Sequence, residues 1–312
     1  MIYILEAHNS GQANWYDDFQ SNLVRGLTAA GVSRDELRWG YSLPLVSDLS
    51  SDDYVFVVHY EDLDKPEVRY TKAKVIFHHH GSGVHPYNHW IDKRAEMDHV
   101  QNVIDINTFC LPTQEKIIKE AYKLDNTVTI GFPMDFDSYK PYRDVKKKNK
   151  IVVAGHIGPE RQFYLATYLL KDLLKDYEIV FSICEKEDCV TGKWSTFYDL
   201  QRFVNMGYRF VFKPYKLGFY EVLSNASHIF TCSLGDVISI SVLEGYLCGC
   251  IPVVPAIFNF WPMYMDYISN GYHPFDAGDV ESVVYGDKKV SVDLNWFNPE
   301  RVAKRLLEKI KC

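Results

Sequence analysis

The chain has 312 residues, of which 47% are hydrophobic and 24% are charged, a balance typical of globular domains. Because a single hydrophobic core rarely grows beyond about 250–300 residues, this length predicts two domains. The net charge of −7 argues against a protein that holds nucleic acid by general electrostatics, which requires clustered lysine and arginine side chains.

Short apolar runs alternate with amphipathic stretches along the chain. In the first half, strands are predicted at residues 2–5, 54–58, 75–77, 100–111 and 127–130, with helices at 15–30 and 114–122. The charged run of residues 144–150 is predicted to be a linker. In the second half, strands are predicted at residues 151–154, 178–183, 209–212 and 228–232, with helices between them and another from residue 299. This alternation predicts an α/β protein with two Rossmann-like domains.

Three consecutive histidines, His78, His79 and His80, follow the predicted strand at residues 75–77 and precede a Gly-Ser-Gly loop. Ligands bind outside the carboxyl ends of parallel strands, so these side chains are candidates for a functional site. A metal site formed by His78, His80, His85 and His89 is the rival interpretation, because zinc requires three or four converging ligands.

The segment of residues 232–255 reads as a strand end, a small-residue turn, a helix and a second strand. Asp236 lies in the turn, Glu244 follows eight positions later, and Ser239 and Ser241 mark the predicted start of the helix. The unpaired N–H groups at such a start offer a site for phosphate. A carboxylate just past the first turn is placed to accept hydrogen bonds from a ribose, so the segment predicts a nucleotide-sugar site.

This segment resembles the signature of retaining glycosyltransferases of the GT-B fold, in particular glycosyltransferase family 4. The family has an acid, seven residues, a glutamate and a small-residue helix that ends in Gly-x-Pro-Val-Val. Here Asp236 and Glu244 supply the two acids, and Gly249 begins the sequence Gly-Cys-Ile-Pro-Val-Val. Two departures are Asp236, where glutamate is usual, and Ser239, where the family often has glycine.

The turn of residues 154–161 is similar to the family's Val-Gly-Arg-x-x-Pro-Glu-Lys turn. The resemblance implies that Gly155, His156 and Arg161 contact the donor pyrophosphate, with Arg161 as the main cation for the leaving diphosphate. It also implies contacts of Lys213 with the base. The glycine-bearing loop after the first strand, represented here by Gly11, is expected to approach the diphosphate.

Further roles come from the same resemblance. His80, with His78 as second choice, is expected to support the reacting face of the sugar, and Asp236 to hold the sugar's hydroxyl groups. The amides of Ile240, Ser241 and Val242 and the side chain of Ser239 complete the expected donor site. No metal and no cofactor are expected beyond the nucleoside diphosphate sugar.

The GT-B resemblance implies two Rossmann-like domains that face a central cleft. The predicted domains are an acceptor-side domain of residues 1–143, a donor domain of residues 144–298 and a C-terminal helix of residues 299–312. The expected reaction is retaining transfer of a hexose or pentose to a hydroxyl group of a carbohydrate or glycoconjugate.

Two alternatives stay open for the function. Some virus-encoded GT-B enzymes glycosylate hydroxylated DNA bases, and the lysines at positions 146, 147, 148 and 150 are candidates to flank a DNA groove. A noncatalytic nucleotide-binding module or a sugar epimerase is the other alternative. The chain shows no leader pattern and no apolar run of about 20 residues, and its cysteine count is odd, so reduced thiols, a cytoplasmic location and no membrane span are expected.

Overall fold

The computed structural model describes residues 1–5, 15–40, 48–58, 60–80, 101–154, 162–183, 196–212, 217–233, 237–257 and 263–311. The chain divides into two compact units. The first unit consists of Met1–Asp135 together with Leu294–Cys312, and the second unit is Phe136–Asp293. The sequence prediction differs in placing the boundary between residues 143 and 144 and in setting the C-terminal helix apart from both domains.

Within the described residues, most predicted strands and helices are present, whereas the strand Leu37–Gly40 and the short helix Pro66–Arg69 were not predicted. The strands are β1 (Ile2–Leu5), β2 (Leu37–Gly40), β3 (Tyr54–Val57), β4 (Lys74–His79), β5 (Ile106–Phe109), β6 (Thr127–Thr129), β7 (Lys148–Ala154), β8 (Glu178–Ile183), β9 (Arg209–Phe212), β10 (Ala226–Phe230) and β11 (Ile251–Val253). The α-helices are α1 (Trp15–Ala29), α2 (Pro66–Arg69), α3 (Pro112–Tyr122), α4 (Lys140–Arg143), α5 (Phe163–Leu170), α6 (Thr196–Asn205), α7 (Leu217–Ser224), α8 (Ile240–Leu247), α9 (Ala277–Val284) and α10 (Pro299–Lys311).

The first unit is built on a parallel sheet with the strand order β2-β1-β3-β4-β5-β6. The residues of its central strands β1, β3 and β4 are mostly buried, as expected for a parallel sheet covered by helices. Val57, Phe77 and Phe109 are at most 2% exposed. The order reverses between β1 and β3, since β2 lies on one side of β1 and all later strands lie on the other.

The segment from residue 294 to residue 311 completes the first unit. The amide of Phe132 donates to the carbonyl oxygen of Trp296 at 2.8 Å, beside Gly131. Gly131 has φ +103° and no room for a Cβ atom, which would clash with the Trp296 carbonyl. Gly26 on α1 likewise faces the carbonyl of Pro299, where α10 begins. Two glycines therefore allow this segment to approach the backbone of the unit closely.

The second unit contains a parallel sheet with the order β11-β10-β7-β8-β9. Its core is rich in aromatic side chains, and the Phe181 ring stacks on Phe210 at a centroid distance of 5.1 Å. Here the order reverses between β7 and β10. The predicted α/β class with two parallel sheets is confirmed.

The lysine-rich run at residues 144–150 is not the linker that the sequence predicts, because it is built into the second unit. Strand β7 begins at Lys148. Lys147 donates through Nζ to the carbonyl oxygen of Ser224 at 2.7 Å and to that of Cys248 at 2.5 Å. These carbonyls lie at the C-terminal ends of α7 and α8, where a cation is favourable.

Replacing Lys147 with methionine is expected to lower the free energy of unfolding by about 1–3 kcal/mol, because two charge-assisted hydrogen bonds to helix ends are lost. Urea denaturation of the variant measures the loss. The matched control is Lys148→Met, which removes an exposed lysine from the neighbouring position. Equal effects of the two substitutions would contradict the capping role of Lys147.

Candidate functional site

The two strands that lead into the motifs singled out in the sequence lie next to each other, at the reversal of strand order in the second unit. Strands β7 and β10 are hydrogen-bonded neighbours and run parallel. The turn of residues 154–161 follows β7, and the acid-bearing segment of residues 232–255 follows β10. In open α/β sheets, ligands bind outside the carboxyl ends of the strands at such a reversal. The carboxyl ends of β7 and β10 therefore lie at the position where a ligand site is expected.

Helix α8 begins where the sequence predicts. Ser239 is its N-cap residue, with extended backbone at φ −88° and ψ 101°, and its side chain makes no capping hydrogen bond. The carbonyl oxygen of Ser239 accepts from the amides of Val242 and Leu243, each at 3.1 Å. The amides of Ile240 and Ser241 precede these bonds and belong to the first turn, whose N–H groups have no acceptor within a helix.

The backbone amide of Ser239 has a different partner. It donates to the hydroxyl oxygen of Tyr267 at 3.3 Å, so the N-cap amide of α8 is bonded by a buried tyrosine. A second tyrosine fixes the loop after β10, because the hydroxyl of Tyr272 donates to the carbonyl oxygen of Thr231 at 2.8 Å. These contacts hold both ends of the segment that connects β10 to α8.

Helix α8 packs directly on strand β10. A Cβ atom at Gly245 would lie 2.6 Å from Cγ2 of Ile229, so only glycine allows this spacing. The helix ends at Gly249, which has φ +87° and lies against the Arg143 carbonyl. The amide of Cys250 then donates back to the carbonyl oxygen of Gly245 at 2.8 Å. Close packing and a glycine end together fix the position of α8.

Glu244 lies inside the second unit and is 2% exposed. Its Oε1 atom accepts a hydrogen bond from the hydroxyl of Tyr220 at 2.9 Å, and the hydroxyl of Tyr139 lies 3.4 Å from the same oxygen. The two hydroxyl groups are 3.3 Å apart. A buried carboxylate requires such donors, because removal from water otherwise disfavours its charge. The structure thus gives Glu244 a hydroxyl-rich environment.

Tyr220 remains protonated in this setting. Burial raises the pKa of Tyr220, and the neighbouring Glu244 charge raises it further. Its hydroxyl is therefore a hydrogen-bond donor at every physiological pH. Sequence reasoning missed both tyrosines, since no spacing pattern relates Tyr139 or Tyr220 to Glu244 among the 22 tyrosines of the chain.

His78, the second choice for contact with the sugar, lies in the core of the first unit. It is 0% exposed, and its ring lies 4.6 Å from that of Phe19. Its Nδ1 is 3.0 Å from Oγ1 of Thr108, and its Nε2 is 3.3 Å from Sγ of Cys110. Burial lowers its pKa well below the usual value. Both ring nitrogens are engaged within the core, so no imidazole nitrogen is presented to a sugar.

His79 and His80 have different surroundings. His79 points to the opposite face of the sheet, where Nε2 lies 2.8 Å from Oδ1 of Asn107 and the ring stacks on Phe109 at 4.6 Å. Burial lowers the pKa of His79 to about 4. His80 follows the end of β4 and is partly exposed. Of the three histidines, His80 has the position expected for contact with a ligand.

Several predicted site residues lie outside the described residues. They are Gly11, Gly155, His156, Arg161, Lys213 and Asp236. The same holds for His85 and His89, the remaining members of the rival metal site. Within the described ranges, no group of three or more histidine, cysteine, aspartate or glutamate side chains is arranged to hold a metal ion.

Asp-x-Asp tripeptides occur at residues 62–64 and 135–137, and the second of them is interpreted from the sequence as structural. In the second of them, Asp135 pairs with Arg25 at 2.8 Å and Asp137 pairs with Lys140 at 2.7 Å. The four cysteines in the described part of the chain, at positions 110, 232, 248 and 250, are buried. None of the described helices is long and apolar enough to cross a membrane.

The solved structures with a similar fold include glycosyltransferases. The structure of Anabaena Alr3699/HepE in complex with UDP and glucose matches with a TM-score of 0.70 at 11% identity, covering 99% of each chain. AviGT4, a glycosyltransferase involved in avilamycin A biosynthesis, matches with a TM-score of 0.62 at 12% identity, covering 99% of this chain and 96% of AviGT4. The chain has the GT-B fold. No protein-family model and no curated protein matches its sequence.

Other GT-B relatives are longer than this chain. TarM matches with a TM-score of 0.58 at 13% identity, and the match covers 84% of this chain but only 52% of TarM. The chain therefore spans about half the length of TarM. The length of this GT-B chain is instead matched by HepE and AviGT4.

The burial of His79 predicts a loss of stability in acid. Because its pKa is about 4 in the folded protein, against an ordinary histidine value of 6.5, the unfolded chain binds more protons between these values. Its contribution is therefore present above pH 6.5 and is lost as the pH falls toward 4. Between pH 7 and pH 5 this linkage is worth about 2 kcal/mol of unfolding free energy.

Urea denaturation at pH 7 and pH 5 tests this prediction with the variant His79→Gln, whose amide can still bond Asn107. Between pH 7 and pH 5, the free energy of unfolding of the variant is expected to fall by about 2 kcal/mol less than that of the wild type. An identical loss in both proteins would show that His79 is not responsible.

Proposed function

We propose that the chain is a retaining glycosyltransferase that moves a sugar from a nucleoside diphosphate sugar to a hydroxyl group of a carbohydrate or glycoconjugate. One observation carries this proposal. The turn after β7 and the start of α8 both follow the adjacent strands at which the order of the second sheet reverses. This is the place where α/β proteins bind nucleotides.

The start of α8 is suited to the donor diphosphate. The first-turn amides of Ile240 and Ser241 and the positive end of the helix dipole favour an anion. In the proposed site, Arg161 and His156 add positive charge and a hydrogen bond from the turn after β7. A fixed cation at the leaving diphosphate stabilises the charge that develops as the glycosidic bond breaks.

Glu244 is the proposed contact for the ribose. Its carboxylate already accepts hydrogen bonds from hydroxyl groups, namely those of Tyr220 and Tyr139. The ribose 2′- and 3′-hydroxyls offer the same donor chemistry. The tyrosine hydroxyls bond one oxygen, Oε1, of this carboxylate, and a nucleotide would add ribose donors to the same group.

The remaining assignments complete the proposal. Asp236 would hold the hydroxyl groups of the donor sugar, and Lys213 would contact the base. Gly11 and Gly155 would let their loops approach the diphosphate, and His80 would support the reacting face of the sugar. No metal is needed where Arg161 and the helix amides supply the positive charge.

The solved relatives suggest which donors to test first. HepE has been solved with UDP-glucose, and S. aureus TarM with UDP, fondaparinux and alpha-GlcNAc-glycerol. UDP-glucose and UDP-GlcNAc are therefore the first donors for assay, with hexose-containing acceptors. The alternative of an enzyme that glycosylates a DNA base has less support. Two of the lysines that would flank a DNA groove are engaged within the protein, since Lys147 binds helix carbonyls and Lys150 binds Asn225 at 2.6 Å.

The variant Glu244→Gln is expected to reduce transfer from the best UDP-sugar at least a hundredfold, because an amide replaces the charged acceptor of the ribose hydroxyls. Sugar transfer is measured with radiolabelled donor, and UDP binding by calorimetry. The control Glu308→Gln changes an exposed carboxylate on α10 and should behave like the wild type. Full activity in Glu244→Gln would remove Glu244 from the site.

Retention of configuration is the second expectation. With an α-linked UDP-sugar as donor, NMR of the product should show an α-anomeric proton, and the rate should be the same in excess EDTA. A β-linked product would refute the retaining mechanism, and loss of activity in EDTA would refute metal independence. If no nucleoside diphosphate or UDP-sugar binds, the chain is an interaction protein instead.

A further inference from the structure

We propose that Tyr220 is a positioning residue that holds the Glu244 carboxylate in place for the ribose hydroxyl groups. This inference deepens the proposed function and rests on it. Tyr220 lies on α7, and Glu244 lies on the neighbouring helix α8. The hydrogen bond between the two side chains therefore lets a hydroxyl group on α7 hold the carboxylate on α8 in place.

The geometry limits the conformations of Glu244. A glutamate side chain loses rotamer freedom when it is held in one position. In this unit the Glu244 side chain is already held before a ligand binds, because its Oε1 accepts a hydrogen bond from the Tyr220 hydroxyl at 2.9 Å. A preorganised acceptor binds hydroxyl groups more tightly than a mobile one.

The Tyr220 hydroxyl is itself fixed by aromatic packing. The Tyr139 ring meets that of Tyr220 edge-on at a centroid distance of 5.0 Å, and the Tyr142 ring does so at 5.6 Å. Tyr139 and Tyr142 belong to the 3-10 helix Phe136–Tyr139 and to α4, the first elements of the second unit. The Tyr220 ring is 7% exposed. Packing thus fixes the orientation of the Tyr220 ring and with it the position of the hydroxyl group. The hydrogen bond from that hydroxyl then fixes the position of the Glu244 carboxylate.

Tyr139 contributes to the same carboxylate with a longer contact. Its hydroxyl lies 3.4 Å from Oε1 of Glu244, which is near the limit of a hydrogen bond. Its effect on the carboxylate is therefore expected to be smaller than that of Tyr220. Removal of the Tyr220 hydroxyl should therefore have a larger effect than removal of the Tyr139 hydroxyl, and an experiment can test this order.

The test compares nucleotide binding by the wild type and by Tyr220→Phe. Calorimetry with UDP, GDP, ADP and CDP first identifies the diphosphate that binds the wild type. The dissociation constant of that nucleotide is then measured alongside its 2′,3′-dideoxy analogue. The variant is expected to bind the ribonucleotide about tenfold more weakly, with an unchanged affinity for the dideoxy analogue, because the lost hydroxyl acts only through Glu244 and the ribose.

A matched control separates positioning from stability. Tyr208 is 1% exposed, and its hydroxyl donates to the carbonyl oxygen of Thr167 at 2.6 Å within the same unit. Tyr208→Phe loses a comparable buried hydrogen bond and should lower the thermal unfolding temperature without changing either affinity. Should Tyr220→Phe not fold, Tyr139→Phe replaces it, with an expected weakening of about threefold for the ribonucleotide alone.

The outcomes are distinguishable. A wild type that binds none of the four diphosphates overturns the proposed function, and the role of Tyr220 falls with it. A wild type that binds, combined with a tyrosine variant that leaves the ribonucleotide affinity unchanged, overturns only the positioning role. Equal weakening for the ribonucleotide and the dideoxy analogue also overturns it, because the effect would then bypass the ribose.

Discussion

The reversal of strand order between β7 and β10 is the constraint on which the candidate site depends. After these two adjacent parallel strands the chain continues in opposite directions along the sheet. A crevice therefore remains outside their carboxyl ends. Helix α8 starts from this position, and its contact with β10 through Gly245 fixes where its first amides lie. The chemistry of the site then follows from which residues occupy the two connections.

The site combines a polar helix start with a buried charge. Ile240 and Ser241 offer main-chain donors in the first turn of α8, whereas Glu244, about one turn further along, is bonded by tyrosine hydroxyl groups. Such a buried carboxylate is costly unless hydroxyl or amide groups bond it. The second unit meets this requirement with side chains from α7 and from the segment that begins the unit, so the proposed recognition of ribose is built into the core packing.

Much of this was accessible from the sequence. The alternation of apolar and amphipathic stretches predicted the α/β class, and Ser239 and Ser241 predicted the start of α8, because local composition controls both features. The burial of His78 was not predicted, since the triplet of histidines reads alike in sequence while successive side chains alternate between the faces of the sheet. The tyrosines around Glu244 were also missed, because their contacts join residues 24 and 105 positions apart.

The division of the chain has a consequence for biosynthesis. Residues 136–293 form one continuous unit, whereas the other unit needs residues 294–311 to cover Gly26 and Gly131. A ribosome delivers the chain from its amino terminus, so the continuous unit emerges whole while the earlier residues still lack their closing helix. The first unit therefore cannot close until residues 294–311 have emerged, and the apolar surface that they cover stays exposed until then.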